Sequence, residues 1–196
     1  MAADLSWMRE RYEQLRSQGL DWNPPTLQSA SEPRCIIDGQ EMVMLSANNY
    51  LNLATHPKVV EASIEATRKY GAGSGSVRAI AGTLDLHLEA ERVCAQFKQV
   101  EAVLIYSSGY TANVGLIPTL VRGSEDIIIS DELNHGSIID GVRLTRASRA
   151  VYQHNDMSAL ERVLKEHSGS ERKLIITDGV FSMDGDVALL DEITEL

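Results

Sequence analysis

The feature that most restricts this chain is a change of rhythm beyond residue 100. Short apolar runs at 102–106, 127–129, 150–152 and 174–177 alternate there with helical periodicity near 110–120, 136–146 and 156–167. Strand, helix and strand repeated in this order make neighbouring strands parallel, because each helix carries the chain back along the sheet before the next strand begins. The run Lys173-Leu174-Ile175-Ile176-Thr177 is short and rich in β-branched residues. That is the pattern of a strand covered on both faces. The expected architecture is α/β, a mostly parallel sheet flanked by helices.

The first hundred residues read differently. Leu5, Met8, Tyr12 and Leu15 recur at helical spacing over 4–18, Gly19 suits the end of that helix, and Asn23-Pro24-Pro25 rules out its continuation. A small hairpin is expected from 34–37, through a turn at Asp38-Gly39, to 42–45. A helix runs from His56-Pro57 to about Tyr70, a glycine-rich segment follows at 71–76, and a second helix over 85–98 presents Leu86, Leu88, Val93 and Phe97. This divides the chain into an N-terminal helix-and-hairpin arm, 1–45, and the first part of a larger domain, 46–196. The final Glu192-Ile193-Thr194-Glu195-Leu196 looks like the start of another helix. A parallel sheet of these strands alone would leave an apolar edge open, so the expectation is a domain incomplete at its C-terminus.

Composition narrows the partners. A net charge of -10 and a pI near 4.9 repel polyanions, which argues against nucleic acid or an anionic membrane as the main partner. Cys35 and Cys94 show neither metal-ligand spacing nor a disulfide framework, and read as reduced, buried thiols. The start Met1-Ala2-Ala3-Asp4 lacks a basic, then apolar, leader, and no stretch approaches the roughly 20 apolar residues of a membrane span. A cytoplasmic protein is expected.

Three loops follow apolar strands and therefore share the carboxyl edge of the sheet, where open α/β proteins bind ligands. The first, Tyr106-Ser107-Ser108-Gly109-Tyr110-Thr111, opens a helix whose leading amides and dipole suit a phosphate; it could equally be an ordinary turn with a serine cap. In the second, Asp131-Glu132-Leu133-Asn134-His135-Gly136-Ser137, His135 could stack on or protonate a ligand, or simply cap a helix. The third, 177–185, offers Asp178 and Ser182, with Asp184-Gly185 readable as a turn. A Rossmann dehydrogenase is disfavoured, because Gly71-Ala72-Gly73 follows a helix and lacks the third glycine. No P-loop and no Gly-x-Ser-x-Gly elbow occurs. His87, His154 and His167 lack metal-ligand spacing and read as surface or capping residues.

Taken together, the motifs resemble those of the α-oxoamine synthases. The resemblance rests on Ser46-Ala47-Asn48-Asn49-Tyr50-Leu51-Asn52-Leu53, on Gly73-Ser74-Gly75-Ser76-Val77-Arg78 with Gly82-Thr83, and on Ser107-Ser108-Gly109-Tyr110-Thr111-Ala112-Asn113. It continues through Asn134-His135-Gly136-Ser137-Ile138-Ile139-Asp140-Gly141 and His154-Asn155-Asp156 to Asp178-Gly179-Val180-Phe181-Ser182-Met183-Asp184-Gly185. The resemblance implies the fold type I architecture of pyridoxal 5'-phosphate (PLP) dependent transferases, a homodimer, and condensation of an amino acid with an acyl-CoA. Among the members, Ala47 to Tyr50, Ser76-Val77-Arg78 and 137–144 are most similar to glycine C-acetyltransferase, acting on glycine and acetyl-CoA. The alternatives are 8-amino-7-oxononanoate synthase and a non-catalytic partner subunit.

By position, the resemblance implies that Ser108, Gly109 and Tyr110 bind the cofactor phosphate. It further implies that His135 stacks on the pyridine ring as a catalytic residue and that Ser182 binds the phenolic oxygen. Asn49 and Arg16 would face the amino-acid substrate, Asp178 would support the site from behind, and Ser76 and Arg78 would line an interface or the CoA side. The Schiff-base lysine and the aspartate for the pyridinium nitrogen are expected downstream of Leu196, since Lys165 and Lys173 lie on segments away from the crevice.

Overall fold

The computed structural model describes residues 4–196; Met1, Ala2 and Ala3, on which the expectation of no leader partly rests, lie outside the described residues. The chain forms two compact units, Met1–Leu84 and Asp85–Leu196.

In the first unit, helix α1 (Ser6–Ser17) ends at Gln18 and precedes a hairpin of β1 (Arg34–Ile37) and β2 (Gln40–Val43). The second strand begins two residues earlier than its apolar pattern suggests. Asp38 and Gly39 both have positive φ, 49° and 79°, as a type I′ turn requires, so Ile37 pairs directly with Gln40. Turn geometry overrides hydrophobic pattern here. Helix α2 (Pro57–Tyr70) starts at His56, whose side chain accepts the amide of Lys58, with Pro57 in the first helical turn, where its missing N–H costs nothing. A π-helical turn, Arg78–Gly82, follows the glycine-rich segment.

The second unit opens with α3 (Asp85–Lys98) and α4 (Gly109–Leu120) and continues through β3 (Ile127–Asp131), α5 (Gly136–Arg143), β4 (Ser148–Tyr152), α6 (Met157–Glu166), β5 (Lys173–Ile176) and α7 (Leu190–Glu195). The three strands are parallel in the order β4-β3-β5. Central β3 is covered on both faces: Ile127, Ile128 and Ile129 are all 0% exposed. Ile128 packs with Ile117, Ile138 and Val142 of α4 and α5, while Ile127 and Ile129 pack with Tyr152, Ala159 and Leu160. Each such isoleucine contributes about 1.5–3 kcal/mol by leaving water, and together they explain why the run shows no polar alternation.

The apolar run at 102–106 forms no strand. A strand exists only beside another strand, and the strands described in this unit pair among themselves; Ile105 instead donates its amide to Glu91 Oε1 at 2.9 Å. Of the thiols, Cys35 is buried as expected but Cys94 is exposed on α3, and both are free. Among the described residues no helix is long and apolar enough to cross a membrane, and no cluster of His, Cys, Asp and Glu could hold a metal ion.

Candidate cofactor and substrate site

In a parallel sheet the helices that follow the strands begin at the carboxyl edge, so their positive ends collect there. Helix α4 is started by Ser108, which with Thr111 forms a reciprocal capping box: Ser108 Oγ accepts the Thr111 amide, and Thr111 Oγ1 accepts the amide of Ser108, both at 3.1 Å. The Ala112 amide goes to the Ser108 carbonyl. Gly109 and Tyr110 are then the first helical residues, whose amides have no intrahelical acceptor. A Cβ at Gly109 would meet nothing within 4 Å, so the space beside this turn is open. The Tyr110 hydroxyl donates to Asp140 Oδ2 at 2.9 Å, and that carboxylate raises the tyrosine pKa.

Helix α5 begins at His135, whose Nδ1 accepts the Ser137 amide at 3.1 Å. Ser137 Oγ lies 2.7 Å from the same Nδ1 and accepts from Asn113 Nδ2 at 2.9 Å. Because the Ser137 amide must donate, Nδ1 is an acceptor and the neutral ring carries its proton on Nε2. The ring itself is exposed, whereas Ser137 is 2% exposed. Close approach of the two helices makes this chain of bonds possible: a Cβ on Gly141 would stand 2.8 Å from Ile117 Cδ1 and 2.9 Å from the Asn113 carbonyl oxygen.

Behind His135, buried Asn134 ties the strand ends together. Its Nδ2 donates to the Ile176 carbonyl at 2.7 Å and to Ser130 Oγ at 2.9 Å, and its Oδ1 accepts the Asp178 amide at 2.8 Å. Asp178 Oδ2 in turn accepts the His135 amide at 2.7 Å. After Asp178 the chain makes a narrow hairpin with Val180 opposite Val187, and Gly185 (φ 81°) sits in its turn. Ser182 lies in this hairpin and is exposed.

The structure thus brings the start of α4, His135 and the root of the Ser182 hairpin together through named bonds. The other two expected site residues belong to the first unit. Asn49 lines a cavity of about 250 Å³ with Ser31, Pro33, Met44 and Tyr50. Its amide is engaged in its own loop: Nδ2 donates to the Ser31 carbonyl at 2.7 Å and Oδ1 accepts the Ala54 amide at 3.2 Å. Arg16 is exposed in the last turn of α1. Lys165 ends α6 in an ion pair with Glu161, and Lys173 opens β5, so both sit at the sheet edge opposite His135.

His154 corrects the expectation of a surface or capping histidine. Only 15% of its side chain is exposed, and its two ring nitrogens face Asp131 and Asp186. The sequence signal was its place two residues after the apolar run of β4, where a fourth loop reaches the same edge.

The chemistry of this edge fits PLP. A phosphate matches the two open amides at a helix start, the planar imidazole of His135 matches an aromatic ring, and the hydroxyl of Ser182 matches a phenolic oxygen. The aminotransferase class I and II family model matches residues 40–196. The 8-amino-7-oxononanoate synthase of Thermoanaerobacter pseudethanolicus is 54% identical over 98% of this chain and 49% of its own length. That of Symbiobacterium thermophilum is 55% identical over 95% of this chain and 48% of its own. The chain spans about half the length of the curated relatives it matches. A serine palmitoyltransferase from S. paucimobilis with a bound PLP–myriocin aldimine superposes with a TM-score of 0.88 at 29% identity, over 98% of this chain and 50% of that one. An 8-amino-7-oxononanoate synthase from Francisella tularensis gives 0.65 at 30% identity over 76% and 41%. These curated relatives are 8-amino-7-oxononanoate synthases, so they favour the alternative reading over glycine C-acetyltransferase. The chain belongs to the aminotransferase class I and II family and, within it, to the PLP-dependent α-oxoamine synthases.

Proposed function

We propose that the protein containing this chain is an 8-amino-7-oxononanoate synthase, a PLP-dependent C-acyltransferase. The observation that carries the reading is the identity of about half over nearly the whole chain to proteins of that name, together with the convergence of α4, His135 and the Ser182 hairpin on one sheet edge. The product's name dictates the carbon count. A ketone at carbon 7 of a nine-carbon acid, beside an amine at carbon 8, requires a seven-carbon dicarboxylic acyl thioester and a three-carbon amino acid that loses its carboxyl group.

Bound PLP would supply an electron sink at the amino-acid carbon. The amides of Gly109 and Tyr110, with the hydroxyl of Ser108, would hold its phosphate. His135, with Nδ1 taken up by the Ser137 amide, would stack on the ring. Ser182 would donate to the phenolic oxygen, and Asn49 and Arg16 would serve the amino-acid side. We read the assembly as a homodimer in the cytoplasm, and bare apolar side chains such as Trp22 and Leu45 support burial against further protein.

The test is a product assay by mass spectrometry with PLP, offering alanine or glycine against acetyl-CoA or the seven-carbon dicarboxylic acyl-CoA. The nine-carbon amino-oxo acid is expected. Product from glycine and acetyl-CoA alone would overturn the substrate assignment in favour of glycine C-acetyltransferase, and no product with any pair would favour a partner subunit.

A further inference from the structure

One ring at the carboxyl edge has no part in the cofactor reading. His154 Nδ1 lies 3.0 Å from Asp131 Oδ1, and its Nε2 lies 3.2 Å from Asp186 Oδ2. A carboxylate only accepts, so both contacts are satisfied when both ring nitrogens carry protons and the ring is an imidazolium. The Asp131 hydrogen bond is the main reason the imidazole pKa stands above its usual value; burial opposes it and Asp186 adds to it.

The two carboxylates differ in what they are attached to. Asp131 is fixed: its side chain is fully buried, Oδ1 also accepts the Leu133 amide at 2.9 Å, and Oδ2 accepts the Asn155 amide at 3.2 Å. Asp186 belongs to the hairpin. Its carbonyl accepts the Phe181 amide at 2.8 Å, while the Phe181 carbonyl accepts Gly185 at 2.7 Å and the Gly179 carbonyl accepts Ala188 at 3.1 Å. Buried Phe181 meets the His154 ring edge-on, with centroids 4.3 Å apart and planes at 79°. Asn155 Nδ2 adds a bond to the Val187 carbonyl at 3.3 Å. Ser182 lies between Phe181 and Gly185, on the segment that these contacts hold.

We propose that His154 is a positioning residue, an imidazolium bridge from Asp131 to Asp186 that clamps the hairpin carrying Ser182 and so sets where that hydroxyl meets the cofactor. The role of Ser182 rests on the PLP reading above, whereas the clamp itself does not. The groups facing the ring are Asp131 and Glu132 at the end of β3, Asp186 and Phe181 in the hairpin, and Asn155 in its own loop; Glu132 accepts the His154 amide at 2.9 Å. A ring with a raised pKa bridges at low pH and lets go as the pH rises through that value.

The experiment follows amide exchange at Phe181, Gly185 and Ala188, with Ile128 and Ile129 as internal reference, together with the absorption band of PLP in the holoenzyme, over about pH 6 to 9. In the unsubstituted protein, hairpin protection relative to the sheet is expected to fall about tenfold or more as the pH rises, with the PLP band changing over the same range. His154→Gln removes this step; Asp186→Asn, at a side chain 55% exposed and therefore safe for folding, moves it to lower pH. Hairpin exchange that tracks the sheet at every pH in a protein that binds PLP overturns the clamp. A PLP band unaltered in His154→Gln overturns the positioning role. Absence of any PLP band in the unsubstituted protein overturns the cofactor reading and the part assigned to Ser182 with it, while the exchange step still decides the clamp.

Discussion

The backbone amide of His135 donates to Asp178 Oδ2 at 2.7 Å, and the Asp178 amide donates to the side chain of Asn134, the residue before His135, at 2.8 Å. This two-way stitch fixes the start of α5 against the end of β5. A bond to a carboxylate contributes about 1.5–3 kcal/mol. Asp178→Ala should therefore lower the urea midpoint by an amount in the lower part of that range, with an unchanged m-value, because Asp178 is half-buried. PLP affinity should fall with it, as the His135 ring loses its fixed root; retained affinity beside lost stability would separate the stitch from the site.

Ser137→Ala removes the hydroxyl between Asn113 and His135 and leaves the half-buried Asn113 amide with one partner fewer. The expected cost is about 1–3 kcal/mol. The His135 ring should keep its single tautomer, because the Ser137 amide still donates to Nδ1, and nitrogen NMR of the imidazole reads this directly. A mixed tautomer population would mean that the hydroxyl shares in the choice.

Gly141→Ala places a methyl group where Ile117 and the Asn113 carbonyl already stand. Helices α4 and α5 must move apart, at about 1–3 kcal/mol. The separation stretches the Asn113–Ser137 bond, so cofactor binding should weaken although the substitution touches no ligand. Fluorescence-monitored melting and PLP titration of the same sample check both halves.

The His154 bridge gives stability a pH dependence of definite sign. A histidine whose folded pKa is raised contributes in full below the unfolded value of about 6.5, and that contribution disappears as the pH climbs through the folded value. Unfolding free energy should decline on the alkaline side, and Asp186→Asn should flatten the decline. A profile level from pH 6 to 9 would rule out the charged bridge as a source of stability.

Central β3 was legible because a strand covered on both faces must be apolar at every position, as 127–129 is; 150–152 and 174–177 were legible as short, bounded, β-rich runs although their strands are only partly covered. The starts of α4 and α5 were legible as well, Ser108 and His135 each preceding the first helical residue. The run at 102–106 carries the same signal without joining a ladder, since composition records a strand's preference and not the presence of its neighbour. The hairpin register escaped because Asp38-Gly39 decides it, not the apolar residues at 42–45. His154 was underrated for a related reason: its partners Asp131 and Asp186 stand 23 and 32 residues away, and no local spacing announces such a bridge.

The three isoleucines of β3 cannot tell the strand where to stop. Ile127, Ile128 and Ile129 are chemically identical, and sliding the strand by one position would exchange one isoleucine for another in each layer at little cost in hydrophobicity. The address is written at the ends. Asp126 accepts the Arg122 amide at 2.6 Å and Asp131 accepts those of Leu133 and Asn155, so a slipped strand would drag a carboxylate off its donors and into oil. Cohesion in this sheet comes from residues that are interchangeable, and alignment from two acids that are not.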